Sequence, residues 1–202
     1  MPRTEQANLL IREGQQRKIL DAARKVFARK GGAATMAEVA AEADVSQGLA
    51  YRYFPSKEAI LTTLVKQTAE SGGGPALRIR EISGTPGKRL ETLVSYIVED
   101  RRERPEFHQF LYQVLADETM PDEFRRLVRR NGRIIQDTMR QLIIEGQAKG
   151  EIAKDDPDQL LAALMACIDG LRSTALLDPK DAKEHFPDTK IILRMLKPEA
   201  KK

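Results

Sequence analysis

The chain has 202 residues, with 32% charged, 5% aromatic, no tryptophan and a net charge of +4 at pH 7. That length suits one small and one medium helical unit, and the composition argues against a β-sandwich and against a disordered chain, so a packed core is expected. A single cysteine, Cys167, excludes an internal disulfide and has no metal-ligand spacing with His108 and His185, so a reducing cytoplasm and the absence of a cofactor or metal are expected.

In chain order, Ile19, Leu20, Ala23, Val26 and Phe27 recur at helical spacing and the pattern stops at Gly31-Gly32. This predicts a first helix over about 14–30, preceded by an N-terminal arm 1–13 that carries Arg3 and Arg12. Thr35-x-x-Glu38 is a capping-box arrangement, in which hydroxyl and carboxylate each satisfy a free backbone N–H at a helix start. A short second helix comes next, with Val39, Ala40 and Ala43 inward. Asp44 interrupts it with a residue that tolerates the left-handed conformation of a tight turn, and Ser46 caps a third helix that runs to about Tyr53, before Pro55. Two helices of about eight residues joined by about three form the helix-turn-helix plan.

Ser56 opens a fourth helix carrying Ile60, Leu61 and Leu64, and Gly72-Gly73-Gly74-Pro75 breaks or bends the chain after it. Helical patterns then cover about 87–103, 105–116, 121–148, 157–177 and 187–196. Pro105, Pro121 and Pro157 are expected at first helical positions, and Gly150 closes the long helix. No strand-length alternation bounded by turn signals occurs, so the fold is expected to be all-α. No run of 18 apolar residues exists, and MPRTEQANLLIREGQQRKIL lacks the features of a signal peptide, so neither membrane insertion nor secretion is expected.

Where the charge sits is more informative than its size. Residues 1–57 hold ten Lys or Arg against six Asp or Glu, whereas residues 58–202 hold 24 of each. Basic excess confined to one small module is the electrostatic footprint of a polyanion binder such as a DNA-binding domain, assigned here to 1–57. Within it, Ser46, Gln47, Gly48, Tyr51 and Arg52 lie on or near the outer face of the third helix, while Val45, Leu49 and Phe54 pack beneath. Gln47 carries an amide suited to adenine, Arg52 a fork suited to guanine, and Gly48 lets the backbone approach closely. The hydroxyls of Thr35 and Tyr51 and the ammonium of Lys57 are placed to hold phosphates of double-stranded DNA.

The run VSQGLAYRYFPSKEAIL, preceded by VFARKGG and TMAEVAAEADV, resembles the DNA-binding domain of the tetracycline-repressor (TetR) family over about residues 15–64. Leu49, Ala50 and Asp44 depart from the family's usual threonine, larger aliphatic and glycine. The stretch EGQAKGEIAKDDPDQLLAALMACIDGLRSTALLDP resembles that family's dimerisation helices, with Gly170, Ala162, Ala163, Ala166 and Ala175 small enough for close helix approach. The resemblance implies that 58–202 is a helical ligand-binding and dimerisation domain, and that the protein is a transcriptional repressor acting as a homodimer on a palindromic operator. It further implies a small-molecule effector held among Tyr96, Phe107, His108, Phe110, Leu111, Tyr112, Met139, Met165 and Asp169. Arg125, Arg126, Arg129, Arg130 and Arg133 suggest either an anion site or a solvated face.

Enzymatic readings find little support. There is no Gly-x-Ser-x-Gly or His-Glu-x-x-His, and Gly84-Thr85-Pro86-Gly87-Lys88-Arg89 lacks the spacing and hydroxyl of a phosphate loop. Cys167 lies in an apolar helical run where a buried thiol is expected, and it pairs with His108 only if folding joins them. The alternatives to a ligand-released repressor are a DNA-binding regulator without a small-molecule ligand and a helical interaction module.

Overall fold

The computed structural model describes residues 5–72, 78–79, 81–177 and 184–198, among which the chain is helical and forms no strand. In order the helices are α1 (Glu5–Lys30), α2 (Met36–Glu42), α3 (Gln47–Tyr53), α4 (Lys57–Gly72), α5 (Pro86–Glu103), α6 (Pro105–Ala116), α7 (Asp122–Ala148), α8 (Pro157–Leu177) and α9 (Thr189–Ile192). Short 3-10 turns follow α1 at Gly31–Ala33 and α9 at Leu193–Leu196.

Two compact units result. The first comprises the described residues up to Thr68 together with Gln109–Val128, and the second comprises the described residues of Ala69–His108 and those from Arg129 onward. The dividing points therefore fall within α4, α6 and α7. Each unit has its own apolar core.

In the first, Ile19, Ala23, Val26 and Phe27 of α1 are buried with Val39 and Ala40 of α2, Ala50 of α3, and Ile60, Leu61 and Leu64 of α4. Phe110, Val114, Phe124 and Val128 close this core, and the Phe110 ring lies 6.2 Å from that of Phe27 in a tilted pair. In the second, Leu90, Leu93, Val94 and Val98 of α5 pack with Met139, Leu142 and Ile143 of α7 and with Leu160, Leu164 and Ile168 of α8. These last three recur every four residues and define the inner face of α8.

Local signals explain most boundaries. Thr85 caps α5 by accepting the Lys88 N–H, and Pro86 takes the first helical position. Gly150 adopts φ +70° after α7, and the Glu151 and Gly150 N–H groups return to the carbonyls of Gly146 and Gln147. That pair of bonds is a Schellman closure, as its glycine foretells.

Three boundaries differ from expectation. α1 begins at Glu5, so the segment expected as an arm is helical from there onward. It is rich in good helix formers, yet Leu9, Leu10 and Ile11 are 57%, 65% and 43% exposed, so no buried stripe announces it. Pro121 precedes α7 by one residue, its carbonyl accepting the Phe124 N–H. The expected helix 187–196 is one α turn continued by a 3-10 turn. α4 ends at Gly72, and the rest of the expected Gly72–Pro75 break lies outside the described residues.

Candidate nucleic-acid interface

The helix-turn-helix is assembled by three local devices. At the start of α2, Glu38 N–H donates to Thr35 Oγ1 at 3.3 Å and Thr35 N–H donates to Glu38 Oε2 at 3.0 Å, which completes the capping box. The Lys30 ammonium, followed by Thr35, holds the Glu38 carboxyl below its usual range. At the end of α2, Asp44 stands at φ +49° while Val45 and Asp44 N–H groups return to the carbonyls of Ala40 and Ala41 at 3.0 and 3.1 Å. This is a Schellman closure with aspartate in the glycine position. Ser46 then caps α3, its Oγ accepting the Leu49 N–H at 3.1 Å.

α3 is thereby fixed with one face in and one face out. Ala50 and Phe54 are buried in the core, and Val45 packs partly against it. Gln47, Gly48, Tyr51 and Arg52 are all exposed and sit at i, i+3 and i+4 spacings that share one side of the helix. The side chains of Gln47, Tyr51 and Arg52 make no hydrogen bond or ion pair with the described residues, so their donors and acceptors face solvent. A Cβ placed at Gly48 would meet nothing within 4 Å, which leaves the backbone there open to an approaching partner. The face carries an amide, a phenol and a guanidinium, the groups that read base edges and grip phosphates.

Thr35 is exposed, and with its oxygen in the cap its hydroxyl hydrogen is left to donate outward. Lys57, at the start of α4, directs its ammonium to the carbonyls of Gly32 at 2.7 Å and Ala34 at 3.4 Å, so one of its three donors remains. Acidic groups nearby are already paired. Glu42 meets Arg29 at 2.7 Å and Lys25 at 3.9 Å, and Glu38 meets Lys30. These surface pairs contribute little stability each, about 0–1 kcal/mol, but they neutralise carboxylates that would repel a polyanion.

The residues expected around an effector are distributed over both units. In the first, Phe110 is fully buried and Leu111 packs on the same core. In the second, Met139 is fully buried and Met165 packs partly against that core, whereas Tyr96 is 45% exposed. Phe107 meets the His108 ring edge-on at 5.5 Å and lies 5.0 Å beneath the Arg104 guanidinium. His108 Nε2 lies 2.8 Å from Asp100 Oδ2, and Arg104 also bonds this carboxylate. Burial would raise the Asp100 pKa, but the hydrogen bonds from His108 and Arg104 outweigh it and hold the carboxyl below its usual range. Asp169 is exposed and pairs with Arg101 at 2.9 Å, and Tyr112 is 45% exposed.

Two further expectations are resolved. Cys167 is exposed, not buried: the inner face of α8 is taken by Leu160, Leu164 and Ile168, and Cys167 lies on its flank beside exposed Ala163 and Gly170. Arg126, Arg129, Arg130 and Arg133 are exposed, and Arg125 pairs with Asp122, as on a solvated face. Among the described residues no helix is long and apolar enough to cross a membrane.

Comparison with known proteins agrees with this architecture. Residues 19–64 match the profile of bacterial regulatory proteins of the tetR family, and residues 86–188, just over half the chain, match that of the BetI-type transcriptional repressor C-terminal domain. The chain is 27% identical over 158 residues to the HTH-type transcriptional regulator BetI of Rhizobium meliloti, covering 78% of this chain and 75% of that protein. It is 39% identical over 82 residues to the HTH-type transcriptional repressor KstR of Mycolicibacterium smegmatis, 40% of each. Among solved structures, the MbdR regulator from Azoarcus sp. CIB shares the fold with a TM-score of 0.75 at 23% identity, covering 90% of this chain and 97% of that one. A Saccharomonospora viridis structure in complex with choline does so with a TM-score of 0.67 at 22% identity, covering 90% and 96%. With a helix-turn-helix whose third helix is capped by Ser46, a basic N-terminal module and both family profiles in register along its length, the chain belongs to the tetR family and is a DNA-binding transcriptional regulator.

Proposed function

We propose that the protein is a repressor that binds a palindromic operator as a homodimer and is released by a small, mostly apolar effector. The observation that carries this reading is the outer face of α3, where Gln47, Gly48, Tyr51 and Arg52 stand exposed on a helix capped by Ser46. Gln47 and Arg52 read bases, Gly48 and Ser46 bring the helix start close to the duplex, and Thr35, Tyr51 and Lys57 hold phosphates. The repressor names of KstR and of the BetI-type profile support the sign of regulation. The protein works in the cytoplasm without catalysis or cofactor.

Residues 1–57 carry the DNA contacts and 58–202 the effector and dimer functions, a division drawn by charge and not by compactness. Dimerisation is supported by the outer face of α8, where Ala162, Ala163, Ala166, Cys167 and Gly170 are exposed and small. The effector site lies in the second unit, around Tyr96, Phe107, His108, Met139, Met165 and Asp169. Phe110 and Leu111 serve packing in the first.

Choline, present in the Saccharomonospora viridis structure, is the first compound to test, followed by a library of small amphiphiles. A duplex recovered from a randomised pool by the protein is titrated with and without each compound. A hundredfold loss of operator affinity requires about 2.7 kcal/mol of coupling, and operator must weaken effector binding by the same factor. If every bound compound has equal affinity with and without operator, the effector model fails and a ligand-free regulator takes its place.

A further inference from the structure

The turn that leads into the helix-turn-helix is gripped from two sides by charged groups. After α1, Gly31 turns the chain at φ +55°, in the left-handed region that favours glycine. The next residue, Gly32, donates its N–H to Asp117 Oδ2 at 2.6 Å, while its carbonyl accepts from Lys57 Nζ at 2.7 Å. Asp117 directly follows α6, within the part of the chain that joins the first compact unit.

Asp117 is itself oriented. The N–H and hydroxyl of Thr119 both donate to Oδ1, at 2.9 and 2.6 Å, which leaves Oδ2 directed at Gly32. The Thr119 hydroxyl, then the Gly32 N–H, hold its carboxyl below the usual range. The approach depends on two absent side chains. A Cβ on Gly31 would lie 2.6 Å from Asp117 Oδ2, and one on Gly32 would lie 2.3 Å from Thr119 Oγ1 and 3.1 Å from Asp117 Oδ2.

This node holds the segment that carries two phosphate contacts. Thr35, the cap of α2, is three residues beyond Gly32, and Lys57 is bonded to Gly32 directly. Val114 and Met120 on either side of Asp117 and Thr119 are buried in the apolar core with α1, α2 and α3, so the core brings the two polar side chains to the turn and their hydrogen bonds fix its backbone. Bonds to an ionised group are shorter and roughly twice as strong as neutral ones, and they set position as well as adding stability.

We infer that Asp117 is a positioning residue for DNA recognition: its carboxylate, through the Gly31–Gly32 turn, sets where Thr35 and Lys57 meet the DNA backbone. The inference rests on the reading of Thr35 and Lys57 as phosphate contacts. It assigns to the residue after α6 a part in operator binding, although it stands 85 positions from Gly32.

The test uses the full-length protein and two probes, the duplex that it recovers from a randomised pool and an unrelated duplex of equal length. Asp117→Ala should weaken binding to both by about tenfold, the scale of one charge-assisted hydrogen bond, and leave the preferred sequence unchanged. Asp117→Asn, which keeps the shape and one acceptor, should lie between Asp117→Ala and wild type. Gly32→Ala should reproduce the loss, and adding Thr119→Ala should recover part of it by removing the atom that a Cβ would strike. In the amide spectrum of the wild type, the Gly32 signal should move on acid titration of Asp117 and stay still in Asp117→Asn, which checks the bond itself, whereas an equal loss on both duplexes with unchanged thermal stability and an unchanged preferred sequence separates positioning from a merely structural role.

Lys57→Ala is the control. If it binds both duplexes as wild type does, the phosphate reading itself fails. If Lys57→Ala is weakened but a folded Asp117→Ala matches wild type, or changes the preferred sequence, only the positioning role of Asp117 is overturned. Should Asp117→Ala not fold, the Gly32→Ala and Thr119→Ala pair decides: recovery in the double variant supports the role of the node, and no recovery refutes it.

Discussion

At the scale of single residues, the turn of the helix-turn-helix depends on a backbone conformation that only a few residue types accept. Asp44 sits at φ +49° with its N–H and that of Val45 closing α2, and the Lys18 ammonium reaches its carbonyl at 3.4 Å. Asp44→Ala should therefore cost about 1 kcal/mol of stability, because a Cβ without a polar group to compensate is strained in the left-handed region. Asp44→Gly should cost nothing or stabilise. Thermal unfolding of both variants checks this, and equal destabilisation by alanine and glycine would show that the carboxylate, not the backbone, holds the turn. Features of this kind are legible in sequence because they are local: Thr35 and Glu38 are three residues apart, as are Ser46 and the Leu49 N–H. The contact between Gly32 and Asp117 was not legible, since nothing in either segment announces a partner so far along the chain.

At the scale of elements, periodicity revealed helices where a buried stripe exists and was silent where it does not. The stretch of α1 from Glu5 to Glu13 has apolar residues that point to solvent, so only its helix-forming composition could have extended the helix. α8 posed the opposite difficulty. It is apolar or small on nearly every side, and hydropathy could not say which side faced inward or that Cys167 would be exposed. With Leu160, Leu164 and Ile168 facing in, the small outer residues are the ones available to a second copy. Ala166→Arg should split the dimer and leave each chain folded, because this position is already exposed within one chain. Sedimentation should show a monomer with unchanged helical content. A wild-type protein that is itself monomeric at micromolar concentration would contradict the dimer.

At the scale of the whole molecule, the charge excess of the first 57 residues and the outward face of α3 point the same way. The fold class and the helix-turn-helix were readable in full because caps, breakers and core spacing agreed. The residues expected around an effector were not separable in this way, because aromatic and methionine side chains look alike in sequence whether they line a cavity or fill a core, as fully buried Phe110 and exposed Tyr96 illustrate. The most direct measurement is a titration of wild type, Arg52→Ala and Gln47→Ala against the recovered duplex and its single-base variants at several salt concentrations. Affinity should fall steeply as salt rises, and each substitution should lose about 1–3 kcal/mol of discrimination at particular base pairs while keeping the salt dependence of wild type. Affinity that is flat with salt, or a sequence preference untouched by Arg52→Ala and Gln47→Ala, would contradict recognition of DNA through α3.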